Sequence, residues 1–204
     1  DVDEKIIMTS DGVDHMKSFP KSMVIVGAGV IGCEYATIFS NFGKTKVYLI
    51  DRSDRILPFE DTDISDMISK NLKEKGVTIH NKAQLERLEV KDGEVEYELS
   101  YKDGKKEIIR VEKALLSVGR KLCIDGLKME NAGVTLSKRG VHIGDINTQT
   151  NIPNIYVVGD ASGHISLVNV GELEGRYAVE RMFSKKYYPL NYKNICTIMF
   201  LQPE

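Results

Sequence analysis

The chain has 204 residues, of which 42% are hydrophobic, so it can bury a core and hold one or two domains. A formal net charge of −2 gives no reason to expect a nucleic-acid or membrane partner, and no apolar run reaches the roughly 18 residues of a membrane span. The three cysteines, Cys33, Cys123 and Cys196, lie far apart without a CxxC, CxxxxC or metal-ligand spacing, so we expect free thiols in a cytoplasmic protein and no bound metal.

Residues 1–20 contain one short apolar run, Lys5–Met8, which could form a strand. The neighbouring sequence offers this run no obvious strand partner. We therefore expect residues 1–20 to be the tail of a domain that lies upstream.

The next stretch combines a buried strand with a glycine-rich turn. Met23–Val26 is apolar and runs into the pattern Gly27-x-Gly29-x-x-Gly32. The first glycine permits a tight turn, the second lets a diphosphate approach the backbone, and the third lets the following helix pack on the strand. Amides at the start of that helix favour negative charge. Methyltransferases and strand–helix turns without a ligand share this pattern, so the surrounding sequence must decide.

The second strand ends in an acid. Lys46–Ile50 leads into Asp51, 24 positions after Gly27. This is close to the separation of about 20 at which dinucleotide-binding folds place an acid on the adenosine ribose. A carboxylate there repels a 2′-phosphate, which favours NAD over NADP. Arg52 and Arg55 follow, and their guanidinium groups would suit a phosphate, so NADP stays open.

The remaining elements of the first half complete a βαβαβ unit and a meander. Helical spacing of apolar residues predicts a helix from the glycine turn to Gly43 and a second helix from Asp61 or Thr62 to Gly76. The inner face of the second helix is predicted to hold Ile64, Met67, Ile68 and Leu72. A third strand is expected over 77–80, then three alternating segments over 85–90, 94–101 and 107–111, and a buried strand over 114–118 that ends in Gly119. We expect an α/β fold: a Rossmann-type parallel sheet with helices on both faces and an inserted antiparallel β-meander.

The second half is less regular. We expect a short helix around 127–131, a short strand over 141–143, a buried strand over 155–158 that ends in Gly159-Asp160, and a helix over 167–183. Asp160 would accept hydrogen bonds from ligand hydroxyls.

Four sequence motifs, which follow one another along the chain, together indicate a family resemblance. They are GAGVIGCEYA (27–36), LIDRSDRILP (49–58), LLSVGR (115–120) and TNIPNIYVVGDASG (150–163). With them the chain resembles, over most of residues 20–185, the pyridine nucleotide–disulfide oxidoreductases. These flavoproteins include dihydrolipoyl dehydrogenase, glutathione reductase, mercuric reductase and soluble pyridine nucleotide transhydrogenase.

The resemblance implies two sets of cofactor contacts. For NAD, the diphosphate would lie against the glycine turn, the adenosine ribose on the acid after the second strand, and the nicotinamide near an acid of the first helix. The implied residues are Gly27, Gly29, Val30, Ile31, Glu34, Asp51, Leu85 and Gly119. Gly32 of the glycine pattern and Arg52 after the second strand complete the predicted NAD site. For FAD, the second flavin motif would use Gly159 and Asp160, and the backbone amides of Leu167 and Val168 would lie under the flavin.

One position indicates the branch of the family. Val30 stands where glutathione reductases carry a gating tyrosine, and together with Asp51 it resembles the dihydrolipoyl dehydrogenase and transhydrogenase branches. The stretch from Gly163 to Gly175 leans toward the transhydrogenases.

The resemblance also implies a domain arrangement: 1–20 from an upstream FAD domain, 21–144 an NAD(P)-binding domain, 145–190 a second FAD-domain segment and 191–204 the start of a C-terminal interface domain. The family's first FAD loop, its CxxxxC and its catalytic His–Glu pair would lie outside this chain, which holds no catalytic residue of its own. We expect a central piece of a homodimeric flavoprotein that passes hydride between nicotinamide and flavin. This piece should bind NAD, bind FAD weakly and not turn over.

Two alternatives remain. A stand-alone, non-catalytic NAD(H)-sensing module would use bound nucleotide to shift an assembly equilibrium. A methyltransferase would share the glycine turn, although the Gly159-Asp160 motif speaks against it. For a piece of a flavoprotein we further expect an exposed apolar face on the 155–158 strand or the 167–183 helix, with disorder, rearrangement or self-association as its consequence.

Overall fold

The computed structural model describes residues 1–137, 148–184, 186 and 188–203. The chain forms two compact units. The first comprises Asp1–Gly119 and the C-terminal residues from Ile198 onward, and the second comprises Arg120–Thr197.

The first unit contains eight strands and three helices among its described residues. The strands are β1 (Ile7–Met8), β2 (Ser22–Val26), β3 (Lys46–Ile50), β4 (Thr78–His80), β5 (Gln84–Lys91), β6 (Glu94–Ser100), β7 (Lys106–Val111) and β8 (Lys113–Leu116), and the helices are α1 (Ser10–Val13), α2 (Val30–Asn41) and α3 (Thr62–Glu74). Five strands form a parallel sheet in the order β1-β8-β2-β3-β4, and β5, β6 and β7 form a separate antiparallel sheet. The predicted α/β fold, a parallel sheet with an inserted antiparallel meander, is confirmed. The helices were expected on both faces of the parallel sheet, but in the first unit the meander covers one of the two faces.

The alternation of side chains along β2 explains how the two faces of the parallel sheet are covered. Met23 and Ile25 belong to a buried cluster with residues of α2 and α3. Val24 and Val26 belong to a second cluster with residues of the meander, including Tyr97. Successive residues of a strand point to opposite faces, so helices cover one face and the inserted meander covers the other.

The face of the meander away from the buried Tyr97 carries a charge network centred on Glu96, which its partners largely cover. Its carboxylate accepts hydrogen bonds from Lys91 at 2.6 Å, Arg87 at 2.8 Å and Arg110 at 3.0 Å. These hydrogen bonds, that of Lys91 first, lower the pKa of Glu96 to about 2. The network joins three neighbouring strands through one acid.

β1 shows where the prediction for residues 1–20 was incomplete. Ile7 pairs with Ala114 and Met8 with Leu115, so the short run is an edge strand of the parallel sheet and packs with the first unit. Its partner strand lies about a hundred residues later, which is why the neighbouring sequence offered none. The two compact units divide at 119/120. The predicted domain arrangement, with its NAD(P)-binding, flavin and interface segments and its boundary at 144/145, stays a prediction.

The predicted inner face of α3 was wrong in two of its four residues. Ile68 and Leu72 are buried, but Ile64 and Met67 are exposed. Ser65 is buried in their place, and its hydroxyl donates to the carbonyl of Ile56 at 2.6 Å. The helix therefore packs on a narrow stripe, with one polar contact to the preceding loop.

The second unit contains a helix, α4 (Val168–Phe183), close to its predicted bounds. The short helix expected around 127–131 is a 3₁₀ helix over Met129–Ala132. The predicted strand over 155–158 was wrong: the described residues there make only an isolated bridge between Gln149 and Tyr156. Because Thr150 donates to the carbonyl of Ile155, this segment folds back on itself and satisfies its backbone locally. The strand predicted over 141–143 lies outside the described residues.

Helix α4 exposes apolar side chains, as expected. Val168 and Phe183 at its two ends are more than four-fifths exposed, and Val179 is more than half exposed. The helix is nevertheless formed over its predicted length, and self-association through it stays a prediction. Among the described helices, none combines the length and apolarity that crossing a membrane requires.

Candidate functional site

The glycine turn between β2 and α2 is tight at two of its glycines and open at the third. Gly27 has φ +100°, and a Cβ there would lie 2.6 Å from the carbonyl oxygen of Ser117. A Cβ on Gly32 would lie 1.9 Å from the carbonyl oxygen of Gly27. A Cβ on Gly29 would meet nothing within 4 Å. Gly27 and Gly32 are therefore needed for packing, whereas Gly29 leaves its backbone accessible to a ligand.

Neighbouring strands hold this turn in place. The amide of Gly27 donates to the carbonyl of Ile50 at 2.8 Å. The Ser117 hydroxyl lies 2.9 Å from the carbonyl oxygens of both Val26 and Gly27. Ser117 was missed by the sequence reasoning; its signal is a hydroxyl in an apolar run that ends at the same edge of the sheet as β2.

Asp51 lies directly after β3 and is tied to the glycine turn. Its Oδ2 accepts a hydrogen bond from the amide of Ala28 at 2.7 Å, and its Oδ1 accepts one from the amide of Ser53 at 2.8 Å. These bonds orient the carboxylate, and each oxygen keeps a lone pair for a further donor. An acid in this position can accept hydrogen bonds from sugar hydroxyls and repel a phosphate.

The N-terminus of α2 provides an anion-binding environment. Gly29 is its N-cap residue, and no described side chain caps the helix there. The first amides of a helix have no carbonyl acceptor within it, and the dipole of a 12-residue helix adds positive potential at this end. The turn that presents these amides is the one at which Gly29 is open.

A cleft of about 650 Å³ lies at this edge of the sheet. It brings together six of the predicted site residues: Gly27, Gly29, Asp51, Arg52, Leu85 and Gly119. Its wall also includes residues that the sequence reasoning did not single out: Ser53, Pro58, Phe59, Ala83, Gln84, Ser117 and Val118. The volume suits a small-molecule ligand.

The other predicted contacts of the first unit lie outside the lining of this cleft. Val30, Ile31 and Gly32 form the first turn of α2. Glu34 follows one turn later, and its Oε1 accepts a hydrogen bond from the amide of Phe200 at 3.0 Å. The acid expected near the nicotinamide is thus engaged by the C-terminal segment of the same unit.

Charge in the cleft comes from two adjacent residues. Asp51 and Arg52 are the charged residues among those that line it. Arg55 is used elsewhere: its guanidinium donates to the Thr62 hydroxyl at 2.6 Å and to the Pro58 carbonyl at 3.2 Å. Of the two arginines that left NADP open, only Arg52 faces the cleft.

In the second unit, a buried acid holds the Gly159 turn. Glu174 on α4 is fully buried, and its carboxylate accepts hydrogen bonds from the Gly159 amide at 2.6 Å and the Tyr192 hydroxyl at 2.7 Å. Burial, and then the bond to Glu174, raise the pKa of Tyr192. Glu174 was missed by the sequence reasoning because nothing in the helix pattern separates a buried acid from an exposed one.

The other predicted flavin contacts sit close to this turn in sequence. Asp160 pairs with Arg120 through its Oδ2. Leu167 is the N-cap residue of α4, and its amide donates to the carbonyl of Ile165 at 2.9 Å. Val168 is the first helical residue and is exposed, so a ligand can reach the start of α4.

A comparison with protein-family models identifies the family of this chain. The model of the pyridine nucleotide-disulphide oxidoreductases matches residues 2–175. The chain belongs to this family. The predicted family is therefore confirmed over most of the chain.

Relatives within the pyridine nucleotide-disulphide oxidoreductases include proteins with two different names. A dihydrolipoyl dehydrogenase of Bacillus subtilis is 35% identical over 203 residues, covering 99% of this chain and 43% of the relative. A dihydrolipoyl dehydrogenase of Acholeplasma laidlawii is 38% identical over 92% of this chain and 53% of its own length. A soluble pyridine nucleotide transhydrogenase of Ectopseudomonas mendocina is 40% identical over 84% of this chain and 36% of its own length. The chain thus spans about half or less of these relatives.

Solved structures share the fold of this pyridine nucleotide-disulphide oxidoreductase chain. LpdA from Mycobacterium tuberculosis superposes with a TM-score of 0.87 at 24% identity, over 98% of this chain and 43% of its own. The HOCl-induced flavoprotein disulfide reductase RclA from Escherichia coli gives 0.79 at 28% identity, over 90% of this chain and 41% of its own.

Proposed function

We propose that this chain is the NAD(H)-binding part of a FAD-dependent, homodimeric oxidoreductase of the dihydrolipoyl dehydrogenase or soluble transhydrogenase kind. The observation that carries the proposal is that an open glycine turn and a carboxylate oriented toward it share one cleft. Gly29 leaves space for a diphosphate, and Asp51 stands where the next sugar would follow. Family membership supplies the independent support.

The cleft favours NAD over NADP. Asp51 offers acceptors to both ribose hydroxyls, and its charge opposes a 2′-phosphate. Arg55, the second candidate for holding such a phosphate, donates to Thr62 and Pro58 instead. Glu34, in this proposal, meets the nicotinamide or its ribose from α2.

In the parent protein, bound nicotinamide and flavin exchange a hydride, and this chain contributes position and electrostatics. We assign Gly159, Asp160, Leu167 and Val168 to the flavin side. Asp160 would share its carboxylate between Arg120 and the flavin's ribityl hydroxyls. The cysteines support a reducing, cytoplasmic setting, because all three are free thiols and two of them are exposed.

Calorimetric titration of the chain with NADH and NADPH tests the proposal. We expect NADH to bind more tightly than NADPH. Asp51→Asn keeps an acceptor for Ala28 but removes the charge, so it should weaken NADH binding by about tenfold and strengthen NADPH binding. Asp54→Ala, which removes an exposed acid of the same loop that does not line the cleft, is the matched control and should change neither affinity.

Two results would contradict the proposal. If wild-type chain shows no saturable binding of either nucleotide, the cleft is not a dinucleotide site. If NADH binds but Asp51→Asn leaves the preference for NADH over NADPH unchanged, Asp51 does not read the ribose.

A further inference from the structure

One side chain of the cleft is unusual for its exposure. Phe59 is 95% exposed, the highest value among the large hydrophobic side chains of the described residues, and it lines the cleft. Leaving a phenyl ring in water forgoes the free energy that its burial would supply. Because the ring lines the cleft, its face is available to pack against another flat group there.

The loop that carries Phe59 is tied down on both sides of it. The Leu57 side chain is buried, and its amide donates to the carbonyl of Ala28 in the glycine turn at 2.8 Å. The Glu60 amide donates to the Leu57 carbonyl at 3.0 Å, and the Arg55 guanidinium donates to the Pro58 carbonyl at 3.2 Å. Phe59 therefore stands two residues from an anchor on the glycine turn, and these bonds hold the backbone on both sides of it.

A second part of the cleft lining comes from the end of the β4–β5 connection and the start of β5. The amide of Ala83 donates to the carbonyl of Asp51 at 3.1 Å, and the amide of Lys82 donates to that of Ser53 at 2.8 Å. Ala83 and Leu85 thus bring apolar surface next to the residues that follow β3. Two separate segments therefore contribute apolar groups to the lining of the cleft that also contains the Asp51 carboxylate.

We propose that Phe59 is a positioning residue whose ring stacks on the purine base of the dinucleotide. This inference rests on the proposed function, and it adds how the base is recognised. The glycine turn, Asp51, Phe59 and Leu85 all line this one cleft, so a dinucleotide with its diphosphate at the turn and its ribose at Asp51 has an aromatic ring within the same cleft for its base. A purine has two flat π faces and a polar edge, so it can lie against a phenyl ring while its edge stays in water.

Substitutions at Phe59 test the stacking through binding. Stacking of a base on an aromatic ring contributes about 1 kcal/mol or more, so Phe59→Ala should weaken NADH and ADP-ribose binding at least about fivefold. Phe59→Tyr keeps the ring and should stay within about twofold of wild type. Phe42→Ala is the matched control: Phe42 is an exposed phenylalanine at the far end of α2, about 18 Å from the glycine turn by the rise of a 12-residue helix. It should leave both affinities unchanged.

A spectroscopic readout follows from composition. The chain contains no tryptophan, so Phe59→Trp introduces a single indole at the proposed stacking position. Saturation with ADP-ribose, which carries the purine but no nicotinamide, should quench the emission of that indole. A purine that occupies the cleft without stacking on the indole should leave its emission unchanged.

The outcomes separate this inference from the proposed function. If wild-type chain binds NADH and Phe59→Ala binds it equally well, the stacking is overturned and the NAD site stands. Unchanged indole emission at saturating ADP-ribose has the same meaning. If Phe59→Ala alters the sedimentation of the chain but not its affinity for NADH, Phe59 is a self-association contact and the inference falls. If wild type binds no dinucleotide, the proposed function and the inference fall together.

Discussion

The three glycines of the turn should separate stability from binding when each is replaced by alanine. A methyl group on Gly32 would stand 1.9 Å from the Gly27 carbonyl oxygen, whereas ordinary contact begins at 3.4 Å. The turn would have to retreat by about 1 Å or more, which breaks the bond between Ser117 and Gly27 and strains the bond between Gly27 and Ile50. We expect Gly32→Ala to lower the free energy of unfolding by about 2–4 kcal/mol.

Gly29→Ala should have the opposite profile. Its φ of −76° suits alanine and its Cβ would meet nothing within 4 Å, so we expect the free energy of unfolding to change by less than about 1 kcal/mol. The same methyl group would stand in the path of the diphosphate. Losing one charge-assisted hydrogen bond there costs about 1.5–3 kcal/mol, so NADH should bind at least about tenfold more weakly.

Scanning calorimetry and titration calorimetry on the same samples check both expectations. The loss in Gly32→Ala corresponds to a fall in Tm of about 4–16 °C for a chain of this size. Gly175→Ala is the control, because that glycine lies in α4 and a Cβ there also meets nothing within 4 Å. If Gly29→Ala binds NADH as tightly as wild type, no diphosphate contacts this turn. If Gly32→Ala has the same Tm as wild type, the close approach of helix and strand is not needed for stability.

Two further predictions concern buried or networked acids. Glu174→Ala removes the acceptor of Gly159 and Tyr192, so we expect it to destabilise the second unit by about 3 kcal/mol. Glu174→Gln keeps one acceptor oxygen and should destabilise the unit by less. If wild type and both variants show the same melting temperature by circular dichroism, this carboxylate does not stabilise the unit. Glu96 has its pKa lowered from 4.5 to about 2 in the folded chain, so the stability it contributes is present above pH 4.5 and is lost as pH falls toward 2. Glu96→Gln should therefore flatten the dependence of urea-unfolding midpoints on pH over that interval, and an unchanged slope would show that the network has no energetic effect.

Local patterns were sufficient for the elements that carry their own signal. The glycine spacing at Gly27, Gly29 and Gly32 predicted three different roles, and the close contacts and the open position agree with them. The period-two alternation of the meander and the apolar run of β2 predicted their strands. Each of these signals lies within a dozen residues, so no knowledge of distant contacts was needed.

Predictions failed where the deciding contact was distant in sequence, or where a segment satisfied its backbone hydrogen bonds locally. β1 needed a partner about a hundred residues away, and the residues over 155–158 used their backbone groups within a tight turn instead of a sheet. On α3, an apolar stripe was drawn from spacing alone, although the packing surface admits Ser65 and leaves Met67 exposed.

The sequence by itself determined that a glycine turn with an open second glycine follows β2 and that an acid follows β3, because both depend on the order of residues along a short stretch of backbone. Only the tertiary structure decided that the Asp51 carboxylate faces the amide of Ala28, that Ser117 holds the turn, and that Phe59 stands exposed on the same cleft. All three depend on which strands lie next to each other in the parallel sheet. Strands that are neighbours in the sheet can be far apart in the sequence, so the sequence alone does not show which residues meet at its edge.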